Sequence, residues 1–272
     1  MANWTLETIA WDRFDASKVD PEILRNIKAA ALVERNGGDY GVYLGRVFAN
    51  DAAFKDAVST WVSEEIQHGI ALGRWAKLAD PDWEFDAAFA RFRAGYSLPL
   101  DATESVRGSQ AGEMIARCIV ETGTSSYYSA LRDATDEPVL KQICGKIAGD
   151  EFRHYKLFYD HLGRCLERDR LGRWDRLRIG WGRLAESEDD ELAYAYFAAN
   201  EPTDAVYDRA RSMAAYARRA YPLYKRGHVQ RGIGMVLKAV GLQPQGWLNE
   251  LLTKAGLWFL RRSASKYAGQ GA

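Results

Sequence analysis

The sequence predicts an all-α protein: a bundle of long helices followed by further helices. Apolar residues recur with helical spacing over long stretches, whereas the alternation that is typical of strands is scarce. Of the 272 residues, 47% are hydrophobic, which suffices for a large core and excludes a mainly disordered chain. The length fits one large domain or two small ones.

Four long helices carry the bundle. They are expected at residues 21–48, 52–78, 104–133 and 138–168. Pro21, Asp51 and Thr103 are start signals, and Thr135 or Asp136 is the expected cap of the last helix. Gly37, Gly38 and Gly41 are weak points inside the first helix.

A long connection separates the second helix from the third. It covers residues 81–103 and includes one short helix near residues 87–96. A single long crossover is the connectivity of ferritin-like bundles. We therefore expect a ferritin-like four-helix bundle with added C-terminal helices.

The chain after residue 168 is basic and rich in tryptophan, and it continues with a helix expected at residues 189–221. Two shorter amphipathic segments follow, around residues 233–240 and 247–262. We divide the chain into a bundle with added helices, residues 1–224, and a C-terminal extension, residues 225–272, packed on or beside it.

This extension is strongly basic, although the whole chain has no net charge. Glu250 is its single acid, and its eight basic residues are Lys225, Arg226, Arg231, Lys238, Lys254, Arg261, Arg262 and Lys266. Such an asymmetry indicates an acidic partner or an anionic surface near the C-terminus.

Several classes of protein are excluded by simple patterns. The three cysteines form no Cys-x-x-Cys pair, which argues against zinc ribbons, rubredoxin-type sites and a disulfide scaffold. The N-terminus does not read as a signal peptide, and no apolar run is long enough to span a membrane. We expect a reduced, cytoplasmic setting and no nucleic-acid partner.

Two copies of Glu-x-x-His are the most informative motif. Glu65 and His68 lie in the second predicted helix, and Glu151 and His154 lie in the fourth. A spacing of three residues places both side chains on one face of a helix, so each pair can reach the same metal centre.

Single carboxylates on the other two helices complete a ligand set. In carboxylate-bridged di-metal bundles, two helices supply Glu-x-x-His and two supply one Glu each. Glu34 precedes Glu65 by 31 residues and Glu121 precedes Glu151 by 30, so two antiparallel hairpins would bring these four carboxylates to one level. Glu113 is the rival ligand of the third helix.

Four glutamates and two histidines predict a non-haem di-iron centre, with manganese as the alternative metal. The absence of thiolates argues against iron–sulfur. In this interpretation Glu65 and Glu151 bridge two ions. The alternative, two solvated helix faces with incidental histidines, fits poorly with apolar neighbours such as Ile66 and Ile147.

The sequence around both motifs resembles the soluble acyl-acyl-carrier-protein desaturases. Residues 61–69, WVSEEIQHG, are similar to their Trp…Glu-Glu-x-x-His-Gly segment, and residues 141–155, KQICGKIAGDEFRHY, match a second segment of that family. Glu121 with Thr124 resembles the family's third-helix pair. The resemblance covers residues 32–168; Gln67 stands where the family usually has Arg, and the first helix is unlike that of the plant members.

The resemblance implies an O2-dependent oxidoreductase that desaturates or hydroxylates a fatty acyl chain bound to acyl carrier protein, or a related lipid. Since no flavin, nicotinamide or iron–sulfur motif is present, electrons would come from an external donor such as a ferredoxin. A homodimer is expected on the same ground.

Three further residues receive roles beside the ligands. The resemblance implies that Asp150 is the partner of His68. Thr124 would deliver protons or position O2, although a helical Thr also bonds its own backbone. Arg153 is expected to pair with Glu64 across helices, the alternative being a solvated charge strip.

Other functions remain open at this point. A ferritin- or rubrerythrin-like protein would oxidise iron or scavenge peroxide, and a non-catalytic helical protein would carry a vestigial site. The basic extension would dock an acidic carrier protein, make peripheral contact with an anionic membrane, or simply pack on the bundle.

Overall fold

A computed structural model describes residues 4–185 and 190–268. Every regular element in these two stretches is helical, which confirms the all-α prediction. The first six α-helices are α1 (Pro21–Arg35), α2 (Gly37–Val47), α3 (Ala52–Ala79), α4 (Phe85–Gly95), α5 (Gln110–Ala134) and α6 (Pro138–Asp169).

The bundle consists of two antiparallel hairpins. In the first hairpin α1 and its continuation α2 pack along α3, and in the second α5 packs along α6. Contacts between α3 and α6 join the hairpins, and α4 lies within the long crossover between them. The predicted ferritin-like connectivity is confirmed.

The first predicted helix is interrupted. The expectation of one helix over residues 21–48 is wrong, because α1 ends at Arg35 and α2 begins at Gly37 after the turn residue Asn36. The break lies against α3, where a Cβ on Gly37 would stand 2.5 Å from the Cβ of Glu65. Glycine therefore permits the two helices to approach closely here.

The third helix begins later than predicted. A start at Thr103 is wrong, because Gly108 has a positive φ of 80° and Ser109 is the actual cap. The Ser109 hydroxyl accepts a hydrogen bond from the Gly112 amide at 3.0 Å. The crossover is correspondingly longer than expected.

The fourth helix follows the predicted span, but its cap is neither Thr135 nor Asp136. Glu137 caps α6 by accepting from the Leu140 amide at 2.7 Å. Its buried carboxylate also accepts from the Trp75 indole at 2.7 Å and from the Asp15 amide at 3.1 Å. This residue fastens the N-terminal segment and α3 to the start of α6.

Five more helices follow the bundle. They are α7 (Arg173–Ala185), α8 (Asp190–Asn200), α9 (Arg209–Ala220), α10 (Arg226–Ala239) and α11 (Trp247–Ala268). The single helix predicted from Asp189 to Tyr221 is wrong, since residues 201–208, which include Pro202, separate α8 from α9. Its predicted first residue, Asp189, lies outside the described residues.

The C-terminal extension packs on the bundle through α10. Leu237, Ala239 and Val240 are buried with the core, and a Cβ on Gly232 would stand 2.9 Å from the hydroxyl of Ser126 on α5. The two amphipathic segments predicted in this extension fall inside α10 and α11, which are both longer. The domain division at residue 224 stays a prediction.

Two apolar clusters fill the bundle, one towards each end. On α3, one cluster ends at Trp61 and the other begins at Ala71; on α6, the two clusters are separated between Ala148 and Tyr155. The apolar packing is therefore interrupted at one level, and the predicted ligands lie there. No helix in the described part of the chain is long and apolar enough to cross a bilayer.

Candidate metal centre

The six predicted ligands meet inside the bundle. α1 provides Glu34, α5 provides Glu121, and α3 and α6 each provide a Glu-x-x-His pair. All six side chains are buried, and His68 has no solvent exposure at all. They lie at the level where the apolar packing is interrupted.

A close approach of α1 and α3 makes this meeting feasible. A Cβ on Gly69 would stand 2.5 Å from the backbone nitrogen of Arg35, so only glycine fits there without a shift. Arg35 and Gly69 each directly follow a ligand, Glu34 and His68. The contact therefore fixes how near these two ligands come to each other.

The ligands form two overlapping groups of four, and within each group one ligand atom per residue lies within 4.8 Å of the others. The first group is Glu34, Glu65, His68 and Glu151, and the second is Glu65, Glu121, Glu151 and His154. The two groups share Glu65 and Glu151. Two shared carboxylates between two histidine-containing groups are the pattern of a pair of bridged metal ions.

Each histidine turns its Nδ1 atom towards the carboxylates. His68 Nδ1 lies 3.3 Å from both Glu34 Oε2 and Glu151 Oε1. His154 Nδ1 lies 2.9 Å from Glu65 Oε1 and 3.7 Å from Glu121 Oε2. The Nδ1 atoms are therefore the nitrogens that would face a metal ion bound between the carboxylates.

The opposite nitrogen of each ring is held by a carboxylate outside the cluster. His68 Nε2 lies 2.9 Å from Asp150 Oδ2, and His154 Nε2 lies 2.7 Å from Glu64 Oε2. Such a partner fixes the tautomer and the orientation of a metal-binding imidazole. The structure thus places Asp150 beside His68, as the resemblance implies.

Arg153 links these two outer carboxylates. Its guanidinium donates to Asp150 Oδ1 at 2.5 Å and to Glu64 Oε1 at 3.5 Å. The pairing with Glu64 expected from the sequence is present, with Asp150 as an additional partner. One cation therefore stiffens the supports of both histidines.

Three contacts of the site were missed by sequence reasoning. The Trp4 indole donates to Asp150 Oδ2 at 2.8 Å, the Tyr128 hydroxyl donates to Glu34 Oε1 at 2.6 Å, and Glu64 supports His154. Glu64 had a signal, because an acid precedes the Glu of both Glu-x-x-His motifs. Trp4 and Tyr128 had none, because their partners are 146 and 94 residues away.

Thr124 lies at the cluster. Its hydroxyl is 2.5 Å from Glu151 Oε2, and it also approaches the backbone carbonyls of Val120 and Glu121 at 3.3 and 3.2 Å. A hydroxyl has one proton, so it donates to one of these acceptors at a time. The geometry permits both roles considered for Thr124: donating a hydrogen bond to its own backbone, or donating one to Glu151 of the cluster.

Glu113, the rival ligand, lies outside the cluster. Its carboxylate accepts from the Tyr43 hydroxyl at 2.8 Å and the Ser105 hydroxyl at 2.7 Å, and Arg117 is its ionic neighbour. Those contacts satisfy the Glu113 carboxylate away from the cluster. Of the two candidates on this helix, the structure brings only Glu121 to the cluster.

The carboxylates strongly perturb one another's protonation. Burial, together with the charges of Glu34 and Glu121, raises the pKa of Glu65 to about 8. Burial and the charges of Glu65 and Glu121 also raise the pKa of Glu151 well above its usual value. Burial and neighbouring negative charge therefore favour the protonated forms of Glu65 and Glu151, and a bound cation would favour their anionic forms.

Contacts with oppositely charged groups favour the charged forms of His68 and Asp150. Burial would lower the pKa of His68, but its contacts with Asp150, Glu151 and Glu34 raise that pKa well above 6.5. Burial would raise the pKa of Asp150, but His68, Arg153 and Trp4 hold it at about 2. These contacts favour the anionic form of Asp150 behind His68.

Ligand atoms at the centre fit a metal pair. Glu65 Oε1, Glu151 Oε1 and His154 Nδ1 are buried and make no well-directed hydrogen bond, although His154 Nδ1 lies 2.9 Å from Glu65 Oε1 and His68 Nδ1 lies 3.3 Å from Glu151 Oε1. Buried polar atoms without a well-directed hydrogen bond cost free energy, and a bound cation would lower that cost. Oxygen and imidazole ligands without thiolate suit iron or manganese. The residues present therefore fit a di-metal centre.

Neither a comparison with protein-family models nor one with curated proteins gave a match.

Proposed function

We propose that this protein is an O2-dependent oxidoreductase that uses two iron ions to desaturate or hydroxylate a fatty acyl chain carried by acyl carrier protein. The observation that carries the metal assignment is the pair of four-residue groups sharing Glu65 and Glu151. Iron is proposed ahead of manganese because of the resemblance to the desaturases, and the acyl substrate rests on the same resemblance.

In this proposal each histidine belongs to one ion. Glu34 and His68 would hold one ion, Glu121 and His154 would hold the other, and the shared carboxylates would bridge them. A reduced iron pair supplies electrons to O2 and thereby the oxidising power to break an unactivated C–H bond.

The protein's own residues supply orientation and protons. Asp150 and Glu64 bind the imidazole rings of His68 and His154. Arg153 links the two carboxylates and so restricts the orientation of both rings. The Thr124 hydroxyl lies 2.5 Å from Glu151 Oε2, so it is the proposed carrier of protons at that side of the cluster. The burial of all six ligands excludes bulk water from the centre.

The overall reaction balances with an external reductant. Desaturation removes two hydrogens from the chain, and with two electrons and two protons it converts one O2 into two waters. A ferredoxin is the proposed source of the electrons.

A single-turnover experiment tests the proposal. Freshly purified protein is assayed for metal, reduced with dithionite, and mixed with O2 and acyl-acyl-carrier-protein, and the chains are examined by mass spectrometry. Two irons per chain and a product lighter by two hydrogens are expected for a desaturase. A product heavier by one oxygen would identify a hydroxylase at the same centre.

A matched pair of variants serves as control. Glu65→Gln with Glu151→Gln should abolish both metal binding and product, whereas Glu167→Gln, at an exposed position on the same helix as Glu151, should change neither. Failure to bind metal after reconstitution would overturn the metal assignment. Two irons that oxidise rapidly without an altered acyl chain would instead overturn the acyl substrate and favour the iron-oxidising or scavenging alternative.

A further inference from the structure

Helix α11 exposes its largest apolar side chains and buries two polar ones. The side chains of Asn249 and Thr253 are buried, with Thr253 at 0% exposure. Trp247 and Trp258 of the same helix are 76% and 63% exposed. A helix packed on a globular core normally has the reverse arrangement.

Specific contacts fix α11 in this orientation. The Asn249 amide donates to the carbonyls of Pro244 at 2.7 Å and Gln230 at 3.2 Å, and the Thr253 hydroxyl donates to Asn249 Oδ1 at 3.0 Å. Close to the middle of the helix, a Cβ on Gly256 would stand 3.2 Å from a Val229 methyl of α10. Rotating the helix to bury its large apolar side chains would break the two hydrogen bonds of the Asn249 amide and the close approach of Gly256 to α10. The Thr253–Asn249 bond lies within the helix.

The exposed apolar side chains form one continuous stripe. At 100° per residue, Trp247, Leu251 and Trp258 lie within 40° of one another, and Leu252 and Phe259 border them. The stripe from Trp247 to Phe259 is about 18 Å long at 1.5 Å per residue. It is too extensive to be a scatter of single exposed residues.

Cations surround this stripe. Lys254 and Arg261 lie along one border, and Arg262 and Lys266 lie on the same face as the stripe, beyond its C-terminal end. The Arg262 guanidinium lies 5.5 Å from the centre of the Trp258 ring. Glu250 is the only acid of the helix, and Arg226 and Gln230 of α10 already bind it.

We propose that α11 docks the protein on an anionic phospholipid surface, with the stripe at the boundary between headgroups and acyl chains and the cations at the lipid phosphates. Tryptophan and phenylalanine beside lysine and arginine are typical of helices that lie in such an interface. A second copy of the chain fits less well, because this helix offers no free carboxylate to meet the partner's cations. The proposal is independent of the metal centre.

Flotation with lipid vesicles tests the proposal directly. The full-length protein is mixed with vesicles of phosphatidylcholine alone or with an equal part of phosphatidylglycerol. Binding is expected only to the anionic vesicles, and it should weaken as salt is raised, because exposed charges are screened.

Paired variants assign the binding to α11. Lys254→Gln with Arg261→Gln should weaken binding roughly 25-fold, at about fivefold for each cation near an anionic surface. Trp247→Ala with Trp258→Ala should weaken it by about tenfold or more, since apolar burial is lost. Lys55→Gln with Lys141→Gln removes two exposed cations elsewhere and should leave binding unchanged.

Four outcomes would overturn the proposal. They are equal binding to neutral and anionic vesicles, no vesicle binding at all, binding lost in Trp174→Ala with Trp181→Ala of α7 but retained in both α11 variants, and an acidic carrier protein bound through α11 while vesicles are not. Light scattering of the Trp247→Ala, Trp258→Ala variant adds a check. A dimer that dissociates in this variant, with no vesicle binding by the parent protein, would assign the stripe to a second copy.

Discussion

The metal centre and helix α11 both reverse the usual relation between residue type and burial. Around the centre, four carboxylates and two imidazoles occupy the middle of the bundle, where apolar side chains would pack better. On α11, tryptophan, leucine and phenylalanine are in contact with solvent, while asparagine and threonine are buried. In each region this arrangement has an unfavourable free energy that contacts within the protein do not offset.

The two regions differ in the kind of ligand that would offset this unfavourable free energy. At the centre, the ligand atoms of buried carboxylates and imidazoles lie within 4.8 Å of one another in each group, so a small cation is sufficient. On α11, a long apolar stripe bordered by cations requires an extended surface of opposite charge. We therefore expect one region to bind an ion and the other to bind an extended anionic surface, and substitutions in one should leave the other intact.

The largest expected effect concerns the removal of metal. With free iron at a thousandfold its Kd, binding would stabilise the folded state by about 4 kcal/mol, so chelation should lower the Tm by many degrees. The Glu65→Gln, Glu151→Gln variant should show no shift on chelation, because it holds no metal. Calorimetric melting with and without chelator measures both. An equal Tm shift in the variant would show that the effect of the chelator does not depend on the proposed centre.

A smaller effect is expected from the support of one histidine. Asp150→Asn leaves His68 without its anionic partner and should weaken metal affinity about 10–100-fold. Competition with a chromophoric chelator measures the change. Trp4→Phe, which removes one donor to Asp150, should have a weaker effect in the same direction. An unchanged affinity in Asp150→Asn would show that the hydrogen bond does not orient the ring.

The close approach of α1 and α3 gives a third test. Gly69→Ala forces a methyl group against the backbone of Arg35 and should lower the free energy of unfolding by roughly 1–3 kcal/mol. Urea unfolding measures this loss. Gly163→Ala on α6, where a Cβ meets nothing within 4 Å, should instead be neutral or stabilise by up to about 1 kcal/mol. Equal behaviour of the two variants would contradict the packing argument.

The smallest effect is expected on α11 in the absence of lipid. Trp258→Ser should change the free energy of unfolding by less than about 0.5 kcal/mol, because the ring is mostly exposed. Leu72→Ala, at a fully buried position of α3, should cost about 2–5 kcal/mol. Urea titration of both variants makes the comparison. A large loss in Trp258→Ser would mean that the stripe contributes to the folded monomer.

The sequence predicted much of the bundle because its signals are local. Asp51 caps α3 as expected, accepting from the Phe54 amide at 2.9 Å. Helical spacing, together with the matched gaps from Glu34 to Glu65 and from Glu121 to Glu151, predicted that the six proposed ligands lie at one level of the bundle. The prediction of Thr103 as a helix start was wrong. In the crossover, the Ser105 hydroxyl donates a hydrogen bond to the Glu113 carboxylate, and Gly108 has a left-handed backbone conformation.

The sequence by itself determined which residues share a face of each helix, because 3.6 residues per turn is a property of the backbone. That property, together with the matched gaps between the motifs and the resemblance to the desaturases, selected the glutamates and histidines of the proposed centre. Only the tertiary structure decided that Trp4 supports Asp150, that α1 breaks where it meets α3, and that α11 turns its apolar face outwards. These features depend on contacts between residues far apart in the chain, and helical spacing carries no information about which helix will lie against which.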